Sequence, residues 1–158
     1  MRRPVAAEIA SRDPAAAAYR VTVRLVEPGA ISFATGAVPD LSPNERRGTG
    51  PWWLWLAPDR ALLIGAATPP DGFVSDVTDG FATFEITGPG AADIVAMACT
   101  LDPAGPLLAP GRCAQTVFAG VRVVLYADGS RENFRLHVER PLAAWLLEWF
   151  TQAVSALR

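Results

Sequence analysis

Few residues in this chain have the type and spacing to do chemistry. Its single histidine, His137, lies in Arg135-Leu-His-Val-Glu139 and alternates with Phe134, Leu136 and Val138. If those three point into a core, His137 points to the other, polar side of the strand. It then reads as an exposed or hydrogen-bonded structural histidine before it reads as a general base. Ser75, Ser130 and Ser155 have no Gly-x-Ser-x-Gly setting and no matched base. Asp76 and Asp79 flank a turn; paired carboxylates could move protons, but capping and turn duty is the commoner use of such a pair. Arg20, Arg24 and Arg122 on strands could bind an anion, and solvated strand faces carry arginine equally well. Cys99 and Cys113 are too far apart for a Cys-x-x-Cys pair, and one histidine cannot complete a zinc site with them. Both are expected as reduced thiols, buried or nearly so. All fourteen basic residues are arginine, which excludes Schiff-base, lysine-nucleophile and P-loop chemistry. No residue is assigned a catalytic, cofactor-binding or metal-ligating role on these grounds.

The elements that position these residues are organised around residues 84–103. An alternating strand, with Phe84 and Ile86 inward, runs into Gly88-Pro-Gly90 and then a short helix. Gly88 permits a sharp turn and Pro89 suits a helix start. Ala91, Ile94, Val95 and Ala98 follow helical spacing, and Asp102-Pro103 stops the helix. The glycines lack the Gly-x-Gly-x-x-Gly spacing of a dinucleotide loop, so the unit is a packing device. Strands are further predicted over 19–26, 31–35, 73–77, 113–118, 121–126 and 134–138, with turns at Ala119-Gly120 and Asp128-Gly129. Pro141 opens the clearest helix, whose stripe is Leu142, Trp145, Leu146, Trp149, Phe150, Ala153, Val154 and Leu157. From residue 73 the order is β-β-α-β-β-β-α. The class is α+β, with a mostly antiparallel sheet and helices on one side.

A length of 158 residues with 51% apolar composition fits one self-supporting domain over 19–158. Residues 1–18 read as a flexible lead-in, with a helical turn at 6–12. The net charge of −2 gives no reason to expect nucleic acid. There is no apolar leader and no run of eighteen apolar residues, so the expectation is a cytoplasmic protein with no membrane contact.

Residues 36–51 form the longest irregular connection, with Asn44-Glu-Arg-Arg47 expected exposed and mobile. Beyond it, Trp52-Trp-Leu-Trp-Leu56 and Ala61-Leu-Leu-Ile64 make a hairpin of two nearly continuous apolar runs. Three tryptophans in four positions cannot share one face; either Trp53, or Trp52 with Trp55, lies opposite. Such strands are covered on both faces within the chain or leave one face for a partner. Trp52, Trp53 and Trp55 are therefore the candidate subunit interface, docking on a larger chain or, in isolation, on a second copy.

Several ordered blocks carry a resemblance. Leu54-Trp-Leu-Ala-Pro-Asp-Arg-Ala-Leu-Leu-Ile64, Ser75-Asp-Val-Thr-Asp79, Ile86-Thr-Gly-Pro-Gly-Ala91, Ala98-Cys-Thr-Leu-Asp102, Pro110-Gly-Arg-Cys-Ala-Gln-Thr116 and Ala144-Trp-Leu-Leu-Glu-Trp149 follow one another. In that order they resemble the gamma subunit of heterotetrameric sarcosine oxidases. Ala57, Arg60 and Ala98 stand where that family has glycine, an acidic residue and glycine. The family is distantly similar to the folate-binding aminomethyltransferases, so the resemblance implies half of that folate-binding domain. Arg140-Pro-Leu142 stands where those transferases place a catalytic aspartate. The resemblance implies an accessory, non-catalytic subunit of a complex that oxidatively demethylates sarcosine or a related N-methyl amino acid. FAD, FMN, NAD and tetrahydrofolate would belong to the alpha and beta partner subunits, and none to this chain. The alternatives are a free-standing folate-binding one-carbon transferase, or a scaffold that kept the fold.

Overall fold

A computed structural model describes residues 8–10, 19–36, 38–65 and 73–157. Eleven strands and two helices are found in them. The strands are β1 (Glu8–Ala10), β2 (Thr22–Val26), β3 (Ile31–Thr35), β4 (Arg46–Arg47), β5 (Trp52–Ala57) and β6 (Arg60–Ile64), followed by β7 (Phe73–Asp76), β8 (Phe81–Thr87), β9 (Ala114–Phe118), β10 (Val121–Ala127) and β11 (Asn133–Glu139). The helices are α1 (Ala91–Ala98) between β8 and β9, and α2 (Ala143–Ala156) at the end. The strands form two antiparallel sheets where one was expected: a six-stranded sheet ordered β1-β2-β8-β11-β10-β9 and a five-stranded sheet ordered β4-β5-β6-β3-β7.

The six-stranded sheet is the middle of three layers. On one face, Phe84, Ile86, Phe134, Leu136, Val138, Val123 and Leu125 pack with Ile94 and Val95 of α1 and with Leu146, Phe150 and Val154 of α2. Phe150 lies between Phe84 and Phe118, with ring centroids at 5.2 and 5.6 Å. The opposite face is covered by the five-stranded sheet, where Ile31, Leu54, Leu62 and Ile64 meet Val124, Tyr126 and Cys113. This arrangement explains β10, Val121-Arg-Val-Val-Leu-Tyr-Ala127, which is apolar on both parities because both its faces are buried.

Residues 8–10 pair with β2 as a strand, so the helical turn expected over 6–12 is not found there; the rest of the lead-in lies outside the described residues. The Asp128-Gly129 turn is wider than a two-residue hairpin, since β10 ends at Ala127 and β11 begins at Asn133. Trp145, placed in the α2 stripe by spacing, is 55% exposed and donates its indole N–H to the Ala119 carbonyl at 3.1 Å. Loop 36–51 is not free either. Arg46 is 7% exposed, and its backbone N–H donates to the Gly111 carbonyl at 2.9 Å.

The Gly88-Pro-Gly90 turn performs the packing duty expected of it. Gly88 has φ +109°, and a Cβ there would stand 2.5 Å from the Arg20 carbonyl oxygen. The segment entering β2 lies against this turn, with the Gly90 N–H donating to that carbonyl at 3.0 Å. Gly88→Ala is expected to lower unfolding free energy by about 2 kcal/mol in urea titration, through backbone strain and collision. Gly129→Ala, also at positive φ (+83°) but with nothing within 4 Å, should cost less than half as much; equal losses would mean that close approach plays no part.

Candidate functional site

The interior between the two sheets holds the polar residues that the alternation patterns point at each other. On β11, Arg135, His137 and Glu139 face the five-stranded sheet, opposite in direction to Phe134, Leu136 and Val138. His137 does leave the helix-side core as its spacing predicts. That second face, however, is not solvent: His137 is fully buried. Its Nδ1 lies 2.8 Å from Thr83 Oγ1 and its Nε2 lies 2.9 Å from the Tyr126 hydroxyl. Either neutral tautomer satisfies both ring nitrogens, one donating and one accepting. Burial first, then the Arg135 and Arg46 charges, pushes its pKa down to about 3. Burial also pushes Tyr126 up to about 12. The trio is a neutral, closed hydrogen-bonded chain with little capacity to take a proton at neutral pH.

Arg46 closes one end of this interior. The guanidinium lies over Trp52 and Tyr126, 3.8 and 4.5 Å from the ring centroids. It donates from Nη1 to the Ala127 carbonyl at 2.8 Å and from Nη2 to Asp128 Oδ1 at 2.7 Å. Asp128 is shared with Arg135, which in turn donates to Glu85 at 2.8 Å. Arg46 was expected on an exposed loop, and Tyr126 and Thr83 were not singled out at all. The signal available was β10 itself: a strand apolar on both faces implies a second covering layer, and β11 beside it shares that cover.

The tryptophans divide differently from the split read from the sequence, which set Trp53 against Trp52 and Trp55. Strand alternation puts Trp52 with Leu54 and Leu56 on the inner face, beneath Arg46. Trp53 and Trp55 share the outer face, across the register from Leu63 and Ala61. All three indoles are half-buried, none fully exposed and none fully covered. Leu63 and Ala61 beside them are wholly buried.

At the other end of the interlayer space a cleft of about 430 Å³ opens between the sheets, lined chiefly by Leu56, Leu62, Phe81 and Val124 with Gln115, Arg122 and Glu139. His137 contributes to its floor with both nitrogens already engaged. Asp76 and Asp79 do not act as a pair. Asp76 accepts from the Thr78 N–H and hydroxyl at 2.9 and 2.6 Å, which holds its carboxyl below its ordinary pKa. The Asp79 backbone carbonyl accepts from Arg140 at 2.7 Å. Ser130 accepts within its own turn and Ser155 bonds back along α2. Arg24 pairs with Glu8 at 2.9 Å, and Arg122 lines the cleft. Among the described residues no three His, Cys, Asp or Glu side chains converge on a metal position, and no helix is long and apolar enough to cross a membrane.

Both cysteines are free thiols. Burial pushes Cys113 up to about 11 and raises Cys99 as well. In the folded protein at pH 8 a thiol reagent should react slowly, and after denaturation without reductant it should find both groups. A denatured sample with no free thiol and a mass lower by two hydrogens would overturn this.

No protein-family model matches the chain, and no curated protein sequence matches it. Among solved structures, a chain of the heterotetrameric sarcosine oxidase from Corynebacterium sp. U-96, in complex with pyrrole 2-carboxylate, has the same fold. The TM-score is 0.77 at 21% identity, covering 88% of this chain and 86% of that one. The likeness shows that the two chains share a fold.

Proposed function

We propose that this chain is the accessory, non-catalytic subunit of a sarcosine-oxidase-like complex, in the position of that enzyme's gamma subunit. The observation that carries the reading is the extent of the match: 88% of one chain lies on 86% of the other, so the likeness runs over most of both chains. The chemistry of the interior agrees, because His137, Tyr126 and Cys113 are each held by burial in the neutral, unreactive form. The N-methyl amino acid, the flavins, NAD and tetrahydrofolate then belong to larger alpha and beta partners. Trp53 and Trp55, on the outer face of the five-stranded sheet, are offered to such a partner; Trp52 serves the fold beneath Arg46.

The test is affinity purification of the tagged chain from its native extract. Flavin-containing chains should co-elute in fixed ratio, with sarcosine-dependent oxygen consumption in the eluate. Elution of the chain alone would sink the proposal. Micromolar calorimetric binding of tetrahydrofolate by the isolated chain would favour a one-carbon transferase instead.

A further inference from the structure

Strand β9 is an outer edge of the six-stranded sheet. It joins β10 through Ala119-Gly120, both at positive φ (49° and 85°), the two-residue mirror turn that fits strand twist. That turn and the register Phe118↔Val121, Thr116↔Val123 and Ala114↔Leu125 aim the amides of Ala114, Thr116 and Phe118 at β10. The N–H and C=O groups of Gln115 and Val117 therefore point away from the sheet. The same side of the strand is closed at each end by the chain itself. The Cys113 N–H donates to the Asn44 carbonyl at 2.9 Å, and the Ala119 N–H donates to the Ala98 carbonyl at 2.8 Å. What lies between is a pairing window roughly 20 Å long, at about 3.4 Å per residue.

Each face of this window has its own cavity. On the helix side is one of about 450 Å³ lined by Met97, Ala98, Cys99, Thr100, Thr116 and Val117. On the other side is the interlayer cleft, and Thr116 and Val117 line both. Three large apolar side chains are exposed around it, Met97, Val117 and Trp145 at 50%, 54% and 55%, with the charged Arg122 and Glu139 confined to the cleft side. Natural sheet edges are blunted by charge, proline or a bulge, yet Ala114-Gln-Thr-Val-Phe118 carries no charge or proline and pairs with β10 without a bulge.

We infer that the β9 edge is a strand-addition site, which takes an extended, uncharged segment of a protein partner with apolar side chains at alternate positions. Backbone pairing at Gln115 and Val117 holds the segment, and successive side chains enter the helix-side cavity and the interlayer cleft in turn. A second copy of this chain does not fit. Antiparallel pairing of two β9 strands centred on Thr116 would put the other copy's Cys113 across from Ala119, where Ala98 already stands. A free segment can leave the lane at both ends; a strand embedded in its own sheet cannot. The inference rests on the reading above only for who the partner is.

The test separates the two. A phage-displayed random heptapeptide library is selected against the intact chain and counter-selected against Val117→Pro. That variant removes an N–H which β10 does not use, and proline is tolerated on edge strands. Val117→Lys serves as a second variant that keeps the backbone donor and adds an edge charge. Selected peptides should share apolar residues at alternate positions. They should slow amide exchange at Gln115 and Val117 about tenfold or more, as expected for bonds worth on the order of 1.4 kcal/mol. The slowing at Gln115 should fall below about twofold in either variant. No enrichment over counter-selection, protection elsewhere in the chain, or a concentration-dependent dimer abolished by Val117→Pro would each overturn the inference. If flavin-containing chains co-elute with wild type and with Val117→Pro alike, the edge is not the contact while the proposed function stands. If they co-elute with neither, the peptide arm still decides the edge.

Discussion

Arg46→Ala should be among the most damaging single substitutions in this protein, lowering unfolding free energy by about 4 kcal/mol, the range for removing one partner from a buried ion pair. The side chain is only 5% exposed. Its loss leaves the Ala127 carbonyl without its donor and strips the cation from between Trp52 and Tyr126. Asp128 keeps its contact with Arg135 at 3.1 Å, which holds the penalty below that of a wholly orphaned charge. With a urea dependence of about 2 kcal/mol per molar, the midpoint should fall by about 2 M. Arg46→Met keeps the stem packed on both rings and should recover about half the loss, whereas Arg46→Lys, lacking the planar fork, should recover less. A shift below about 0.5 kcal/mol for Arg46→Ala would show that loop 36–51 is not anchored by this residue.

Acid should unfold the protein in large part through His137. In the unfolded chain the imidazole takes a proton near its model value of 6.5, and in the folded chain only near about 3. Between those values the unfolded state binds the extra proton, so stability rises with pH. The contribution is complete above pH 6.5 and is lost as pH falls toward 3. The slope approaches 1.4 kcal/mol per pH unit and amounts to on the order of 4 kcal/mol by pH 3.5. His137→Leu removes that slope, but at pH 7 it leaves the Thr83 and Tyr126 hydroxyls unpaired, at about 2–3 kcal/mol. The stability gap between wild type and variant should therefore begin to close as pH falls below 6.5 and reverse between about pH 5 and pH 4. Carboxylates titrate in both proteins and cancel in the difference. A gap that stays constant from pH 7 to 4 would mean that the buried ring is not the titrating group.

Local pattern determined much of this protein before any contact was known. Period-two alternation placed β8 and β11, the 3.6-residue stripe placed α2, and Ala119-Gly120 marked the tight turn between β9 and β10. The requirement for glycine at 88 was also legible, since proline and glycine report backbone dihedrals directly. Alternation assigns a residue to one of two faces; it does not say what lies over that face. His137 was put on the correct side of its strand, but only the stacking of the five-stranded sheet on that side buried it and drove its pKa down. Arg46 sits in a stretch of Pro, Gly and charge that reads as solvated loop. It became an anchor because Tyr126, eighty residues later in the chain, faces Trp52 across the sheet interface. The tryptophans were recognised as too many for one face; period two alone separates Trp52 from Trp53 and Trp55, and only the packing against β10 decided which side is inward. Those outcomes depend on long-range pairing, where loop-closure entropy is offset only by burial summed over many residues. No window of sequence contains that sum.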